Sequence, residues 1–312
     1  SKIKLFEGIS YIRRVEENIA LEYPKGEMRC PVHLSIGQEA VAVGVSYISK
    51  KSDRFYSTHR SHAHYLAKGG SLKGMISELY GKTDGCLNGR GGSMHLQDDK
   101  INFISSIPIV ASSIPLALGS ALEQKLSNDK NITVCFLGDG SLEEGSFFES
   151  LIFASLNRLP IIFVCENNYY SCYTPLKERQ NHSNFDKYAK SFNIMAHRKN
   201  GNKIETVIDT FSTSYKLAKK GYPQFLQFDT FRFLEHCGPS DDDHLGYRKK
   251  NELSSWIDKC PLETLKKELL KNKILTNKKI DQINKNIDKK IKDAFNNAKK
   301  SALPKLNKKL IQ

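Results

Sequence analysis

Residues 132–170 read ITVCFLGDGSLEEGSFFESLIFASLNRLPIIFVCENNYY: an apolar run, a Gly138-Asp139-Gly140 turn, a helical pattern, a second apolar run, and then Glu166-Asn167-Asn168. Both apolar runs are short, rich in Val, Ile, Phe and Cys, and bounded by Gly, Pro or Asn. Neither alternates with polar residues, the pattern of parallel strands covered on both faces. Strand, helix and strand in this spacing fit one crossover unit of roughly thirty residues. The expected fold is therefore α/β, a doubly wound parallel sheet. Such sheets bind ligands outside the carboxyl ends of their strands, so Asp139 and Asn168, each just past a strand, are placed to share one ligand.

Magnesium is the physical candidate for that ligand. It takes hard oxygen donors in octahedral geometry and is usually held by one or two carboxylates together with phosphates. Asp139 supplies the charge, Asn168 a neutral oxygen, and the backbone carbonyl near Tyr170 a third donor. Gly138 and Gly140 permit close backbone approach, and a helix opening at Ser141 points its free amides at an anion. A Gly-Asp-Gly turn alone is also the ordinary form of a strand-to-helix junction. The Asn pair at the next strand end separates the two readings.

The 312 residues suffice for one large α/β domain or two small ones. No run approaches the roughly 18–20 apolar residues of a membrane span. The opening SKIKLFEGISYIRRVEENI is amphipathic, carries both charge signs and lacks a cleavage-site pattern, so no signal peptide is expected. The seven cysteines, at 30, 86, 135, 165, 172, 237 and 260, include no CxxC pair, which suits a reducing compartment with the cytoplasm as the default.

The net charge of +14 is unevenly spread, because residues 262–312 hold fifteen lysines and five acidic residues. From Pro261 onward Leu, Ile and Phe recur at helical steps with lysines between them, without the aromatic interleaving suited to stacking on bases. The tail, residues 261–312, is therefore expected to be a helical extension packed on a main domain of residues 1–260, with a solvated lysine face. A basic nucleic-acid-binding protein is the competing reading.

Ahead of the central stretch, Leu5, Ile9, Ile12, Val15 and Ile19 mark an amphipathic helix. PVHLSIGQEAVAVGVSYI then runs extended to His33-Leu34-Ser35, breaks at Gly37 and is helical from Gln38. FYSTHRSHAHYLAKG, residues 55–69, sets His59, His62 and His64 around Arg60. Zinc needs converging neutral ligands, and Arg60 in their midst repels a cation, whereas the planar fork of Arg suits a diphosphate. Anion binding is the preferred reading and a zinc hydrolase the alternative. GRGGSMHL, residues 89–96, is a glycine-rich loop, and residues 105–126 pass from extended to helical. Beyond the centre, TPLKERQ reads as a polar loop, residues 185–197 as a short helix and strand, GNKIETVIDTFSTSYKLAKKG as an amphipathic helix, and PQFLQFDTFRF as a buried strand. Asp241, Asp242, Asp243 and His244 read as a solvated loop, since consecutive acids point in divergent directions.

Gly-Asp-Gly followed by Asn-Asn about thirty residues later resembles the thiamine-diphosphate signature. Glu-Asn-Asn after IIFVC is similar to the α-subunits of the 2-oxo acid dehydrogenase first components, the pyruvate, acetoin and branched-chain family. HLSIGQEA, GRGGSMH and the Arg232 to His236 loop occur in the family's order, and the resemblance covers most of residues 1–260. It implies the thiamine-diphosphate-binding type of sheet, with thiamine diphosphate and Mg2+ as cofactors. In that reading Asp139, Asn168 and the Tyr170 carbonyl bind magnesium. His59, Arg60, Arg232 and His236 hold the diphosphate, with His59 standing where the family has Tyr. The backbones of Pro108 and Val110 touch the aminopyrimidine, Gly138 and Gly140 line the cofactor, and His33 and His236 serve the chemistry, His33 near the reacting thiazolium carbon.

The resemblance also implies a β-subunit that supplies the activating glutamate in an assembly of two α and two β chains, so this chain is expected to be inactive alone. The implied reaction decarboxylates a small 2-oxo acid and passes the acyl group to lipoamide on a lipoylated acyltransferase. Many members carry Gly where Pro108 stands, and His and Gly where Leu234 and Glu235 stand. These departures keep a non-lipoyl acceptor, such as a small aldehyde, ketone or sugar, as an alternative. No nucleic-acid or membrane partner is expected.

Overall fold

The computed structural model describes residues 1–305, so residues 306–312 of the lysine-rich tail lie outside the described residues. Its strands are β1 (Arg54–Ser57), β2 (Phe103–Ser106), β3 (Thr133–Gly138), β4 (Ile161–Asn167), β5 (Tyr170–Ser171), β6 (Thr174–Pro175), β7 (Met195–Asn200) and β8 (Gln224–Asp229). β5 and β6 form a small antiparallel hairpin, and the other six make one parallel sheet in the order β2-β1-β3-β4-β8-β7. This is the doubly wound α/β architecture expected from the central stretch.

Both faces are covered because successive residues of each strand point to opposite sides. Phe55, Val134, Phe136, Ile162, Val164, Leu226 and Phe228 face one core, shared with the helices Lys2–Glu22, Glu39–Ile48 and Ile204–Ala218. Tyr56, Cys135, Leu137, Phe163, Cys165 and Phe225 face the other, shared with the helices Ser113–Leu126 and Gly145–Leu156. The chain moves from β1 to β2 on one side, then returns past β1 to β3 on the other. The topological switch therefore lies between the carboxyl ends of β1 and β3, where such sheets open a crevice.

Three local expectations change. Residues 54–57, which overlap the stretch 55–69 read for its metal- or anion-binding side chains, form β1 between β2 and β3, too short to show a strand pattern. The helix expected to open at Ser141 begins at Gly145, because Asp139–Glu143, which contains Gly140, takes a 3-10 turn; Gly140 and Gly145 are both poor helix formers. No free helix terminus is thus aimed from Ser141. TPLKERQ is not a plain loop: Thr174–Pro175 pairs with Tyr170–Ser171 and Leu176–Arg179 makes one helical turn, pinned by the buried Leu176.

The tail folds back as the helices Pro261–Lys271 and Asn277–Lys300. Ile280, Ile283, Ile287, Ile291 and Phe295 form its inner stripe against the helices Lys2–Glu22 and Leu72–Leu79 and join the first core. Arg14 donates two hydrogen bonds of 2.7 Å to the Asp288 carboxylate, and Phe295 packs edge-on against Tyr80. Lys278, Lys285, Lys289 and Lys292 lie on the exposed face. No helix among the described residues is long and apolar enough to cross a membrane. Ile287→Ala should cost about 2–5 kcal/mol in urea unfolding through the cavity it leaves, whereas Lys289→Gln should stay within about 0.5 kcal/mol.

Candidate active site

A cavity of ≈ 190 Å³ opens at the switch point, lined among others by His33, Thr58, His59, Arg60, Pro108, Val110, Gly138, Asp139, Gly140, Asn168, Tyr170 and His236. His59 and Arg60 follow β1 and Asp139 follows β3, one from each side of the switch. Asn168 follows β4 one residue beyond the level of Asp139, since Gly138 pairs in register with Glu166. A Cβ built on Gly138 would meet nothing within 4 Å, so glycine here keeps the cavity floor clear. One on Gly140 would come to 3.0 Å of the Ser171 hydroxyl.

Arg60 is buried and joins three loops. Its guanidinium donates to the carbonyl oxygens of Leu34 (2.6 Å) and His236 (3.1 Å), and its Nη2 lies 3.5 Å from His236 Nδ1. A parallel bridge between His33 and Gly238, with the Gly238 amide donating to the Val32 carbonyl, ties the same loops again. The rings of His33, His59 and His236 meet as a triangle, with centroids 4.7, 5.1 and 5.3 Å apart. Burial drives all three toward the neutral form, and Arg60 adds to it: His33 falls to about 2, His59 and His236 to about 3. His33 Nδ1 is buried without a hydrogen-bond partner in the protein. Burial also lowers Arg60, to about 10.

The trio of His59, His62 and His64 that the zinc alternative required does not converge. His62 sits between the Glu16 carboxylate (2.8 Å) and the Ser93 hydroxyl (2.7 Å), and His64 bonds Ser57 and stacks on Phe136. Two of the three histidines are thus core residues, which removes the zinc site read from that stretch. Arg232 does not line the cavity. It is fully buried and spent on Asp242, the Tyr247 hydroxyl, and the carbonyls of Leu234 (2.6 Å) and Cys172 (2.8 Å). Asp242, read as part of a solvated loop, is its buried partner and also pairs with Arg248 at 3.1 Å. The acids of this run do diverge, and the middle one diverges inward.

Two further groups join the site. Arg179 places Nη2 on the Asp139 carboxylate and Nη1 on Glu143. Burial pushes the Asp139 carboxyl up, and the charge of Arg179 opposes that rise. Glu166 lines the cavity with its carboxylate 3.2 Å from His64 Nε2. Glu166 was visible in the Glu-Asn-Asn motif, while Arg179 stood in a stretch that carried no signal.

The family model described as dehydrogenase E1 component matches residues 7–307. The chain belongs to the dehydrogenase E1 family. A protein of Rickettsia bellii named pyruvate dehydrogenase E1 component subunit alpha is 31% identical over 303 residues, 97% of this chain and 92% of its own. A Porphyra purpurea protein of the same name is 32% identical over 311 residues, 97% of this chain and 90% of its own. The Arabidopsis thaliana protein named as the chloroplastic alpha-3 subunit is 33% identical over 309 residues, 97% of this chain and 72% of its own. The E1 family thus spans both the switch-point loops and the helical tail.

The three imidazoles, His33 buried and His59 and His236 half-buried, set a pH dependence. Their folded pKa values lie below the ordinary value of 6.5, so above pH 6.5 they add nothing to the slope of stability with pH. Below it the unfolded chain takes up protons that the folded chain refuses, and stability falls as pH falls. Between pH 6.5 and 5 the loss should be on the order of 1–2 kcal/mol per imidazole in denaturant titrations, and His59→Gln should flatten the slope.

Proposed function

We propose that this chain is the α-subunit of a heteromeric thiamine-diphosphate enzyme that decarboxylates a pyruvate-like 2-oxo acid and passes the acyl group to lipoamide. The observation that carries it is the convergence of Asp139, Asn168, Arg60, His59, His236 and His33 on one cavity at the sheet switch point, in a chain whose relatives are named pyruvate dehydrogenase α-subunits.

The donor set fits the cofactor. Asp139 and Asn168 offer hard oxygens from neighbouring strand ends, as Mg2+ requires, and Tyr170 follows them on the same cavity wall. Arg60 brings a buried positive charge and His59 and His236 bring ring nitrogens, a set matched to a diphosphate. Bound thiamine diphosphate supplies the carbanion chemistry that splits the carboxyl group from a 2-oxo acid.

The protein's part is positioning. Arg60 fixes the loops that carry His33 and His236, so both imidazoles face the cavity at set distances. Held neutral by burial, each can accept a hydrogen bond from a donor in the cavity, and His33 Nδ1 has no competing partner. Arg232 acts one layer back by holding the loop of His236 against the β5–β6 hairpin through the Cys172 carbonyl. The Glu235 carboxylate, where many members have Gly, accepts from the Ser240 amide at 2.8 Å, so this departure closes the loop rather than changing the cavity wall. The partner β-chain supplies the activating glutamate.

Calorimetric titration of thiamine diphosphate with Mg2+ should show binding that appears or tightens only when the β-chain encoded alongside is present, and none in Asp139→Ala. Full 2-oxo acid turnover by the isolated chain would refute the split site. Mg2+ must also displace Arg179 from Asp139. Arg179→Gln should therefore lower the Mn2+ concentration needed for half-saturation, read by electron paramagnetic resonance, and an unchanged value would show that the ion pair does not oppose the metal.

A further inference from the structure

Met94 is the member of the glycine-rich loop, residues 89–96, that lines the cavity. Successive backbone amides of such loops commonly cradle a phosphate. Here they close on the protein's own Glu78: its Oε2 accepts from the amides of Leu87 (2.8 Å) and Gly89 (3.0 Å), and its Oε1 from those of Gly91 (2.6 Å) and Gly92 (3.2 Å). The carboxylate is buried in the last turn of the helix Leu72–Leu79, where the helix dipole disfavours a negative charge, and the four donors offset that cost. Gly89 and Gly92 have φ of +77° and +63°, and a Cβ on Gly91 would lie 2.5 Å from the His95 carbonyl oxygen, so only glycine at these positions lets the loop wrap the carboxylate.

The next residue, Ser93, anchors the far end of the loop. Its hydroxyl lies 2.7 Å from His62 Nε2, His62 Nδ1 lies 2.8 Å from Glu16 Oε1, and Glu16 Oε2 accepts from the Ser35 amide at 2.8 Å. A carboxylate on Nδ1 fixes the proton there, which leaves Nε2 to accept from Ser93. Ser, His and Glu in this order have the form of a hydrolase triad, but all three are fully buried, so the Ser93 oxygen has no path to a substrate. The chain of hydrogen bonds instead joins two walls of the cavity. Ser35 follows Leu34, whose carbonyl holds Arg60, and stands two residues past His33. On the other side the Ser106 hydroxyl, at the end of β2, donates to the Met94 carbonyl (2.9 Å) and accepts from the Leu96 amide (2.6 Å), two residues before Pro108.

We propose that Glu78, His62 and Ser93 are positioning residues, which hold the glycine-rich loop as a strut that sets Met94 and the Pro108–Val110 wall of the cavity against the wall of His33. None of the three touches the cavity; each acts through the loop. Removing one leaves the fold its hydrophobic core but frees the strut, because Glu78 is the shared acceptor of four amides and Ser93 the one link from the loop to His62 among the described residues. The effect on turnover rests on the thiamine reading of this cavity, and the effect on Met94 rests on geometry alone.

Met94 itself gives the readout. The chain has four methionines, so labelling their methyl groups gives four nuclear magnetic resonance signals, one of them from the cavity wall. Ser93→Ala and Glu78→Gln should each move the Met94 signal and leave that of the exposed Met195, on the edge strand β7, in place. Ser71→Ala removes the hydroxyl that caps the helix Leu72–Leu79, so it should lower the melting temperature without moving Met94, which separates lost stability from lost positioning. With the β-chain present, Ser93→Ala should lower kcat for the 2-oxo acid by about 10–100-fold, the scale of a small misplacement, with KM nearly unchanged. A parent mixture without turnover would refute the thiamine reading and leave the Met94 signal to decide the strut. A Met94 signal that stays in place in both folded variants, or an unchanged kcat in Ser93→Ala beside an active parent, would overturn the proposal.

Discussion

The buried guanidinium of Arg60 is the contact on which the site depends. Burying a charge costs several kcal/mol unless it is well hydrogen-bonded, and Arg60 donates to the carbonyls of Leu34 and His236. Those carbonyls belong to loops with little regular structure, distant in sequence, which the hydrophobic effect alone would not align to a fraction of an ångström. Arg232 repeats the device one layer deeper, tying the Cys172 and Leu234 carbonyls together with Asp242 and Tyr247. Two inward-facing arginines thus hold the loops at the carboxyl end of the sheet, and the cavity takes its shape from them.

The sheet decides where those loops meet. Because the chain reverses direction between β1 and β3, the loops that follow these strands part and leave a crevice, and its opposite walls bear opposite chemistry. Past β1 stand a guanidinium and an imidazole, and past β3 and β4 stand a carboxylate and an amide. The protein balances Asp139 with Arg179, a side chain from the turn just beyond the β5–β6 hairpin. Carboxylate and hairpin are thereby coupled, since any ion that takes Asp139 must release the turn.

Much of this was legible in one dimension. Strands buried on both faces lose polar alternation, so Thr133–Gly138 and Ile161–Asn167 announced a parallel sheet, and residues that follow strand ends announced a site. The amphipathic helices at both ends of the chain, including the inner stripe of Ile280 to Phe295, followed from a period of 3.6. Less legible was β1, four residues long, whose place in the sheet comes from its neighbours and not from its own composition. The start of the helix after Asp139 was hidden by two glycines that admit a 3-10 turn.

The sequence by itself determined the architecture, because the period of apolar residues and the chemistry of strand ends are local properties of the chain. Only the tertiary structure decided which of several equivalent side chains face the cavity. Three histidines within six residues point three ways, because strand and helix geometry aim each one separately: His59 meets His33 and His236 across the fold, and His62 and His64 enter the core. Likewise, nothing in the run of three aspartates marks Asp242 as the buried one. Its role depends on Arg232 and Arg248 arriving from elsewhere, and pairings made through space leave no periodic trace in the sequence.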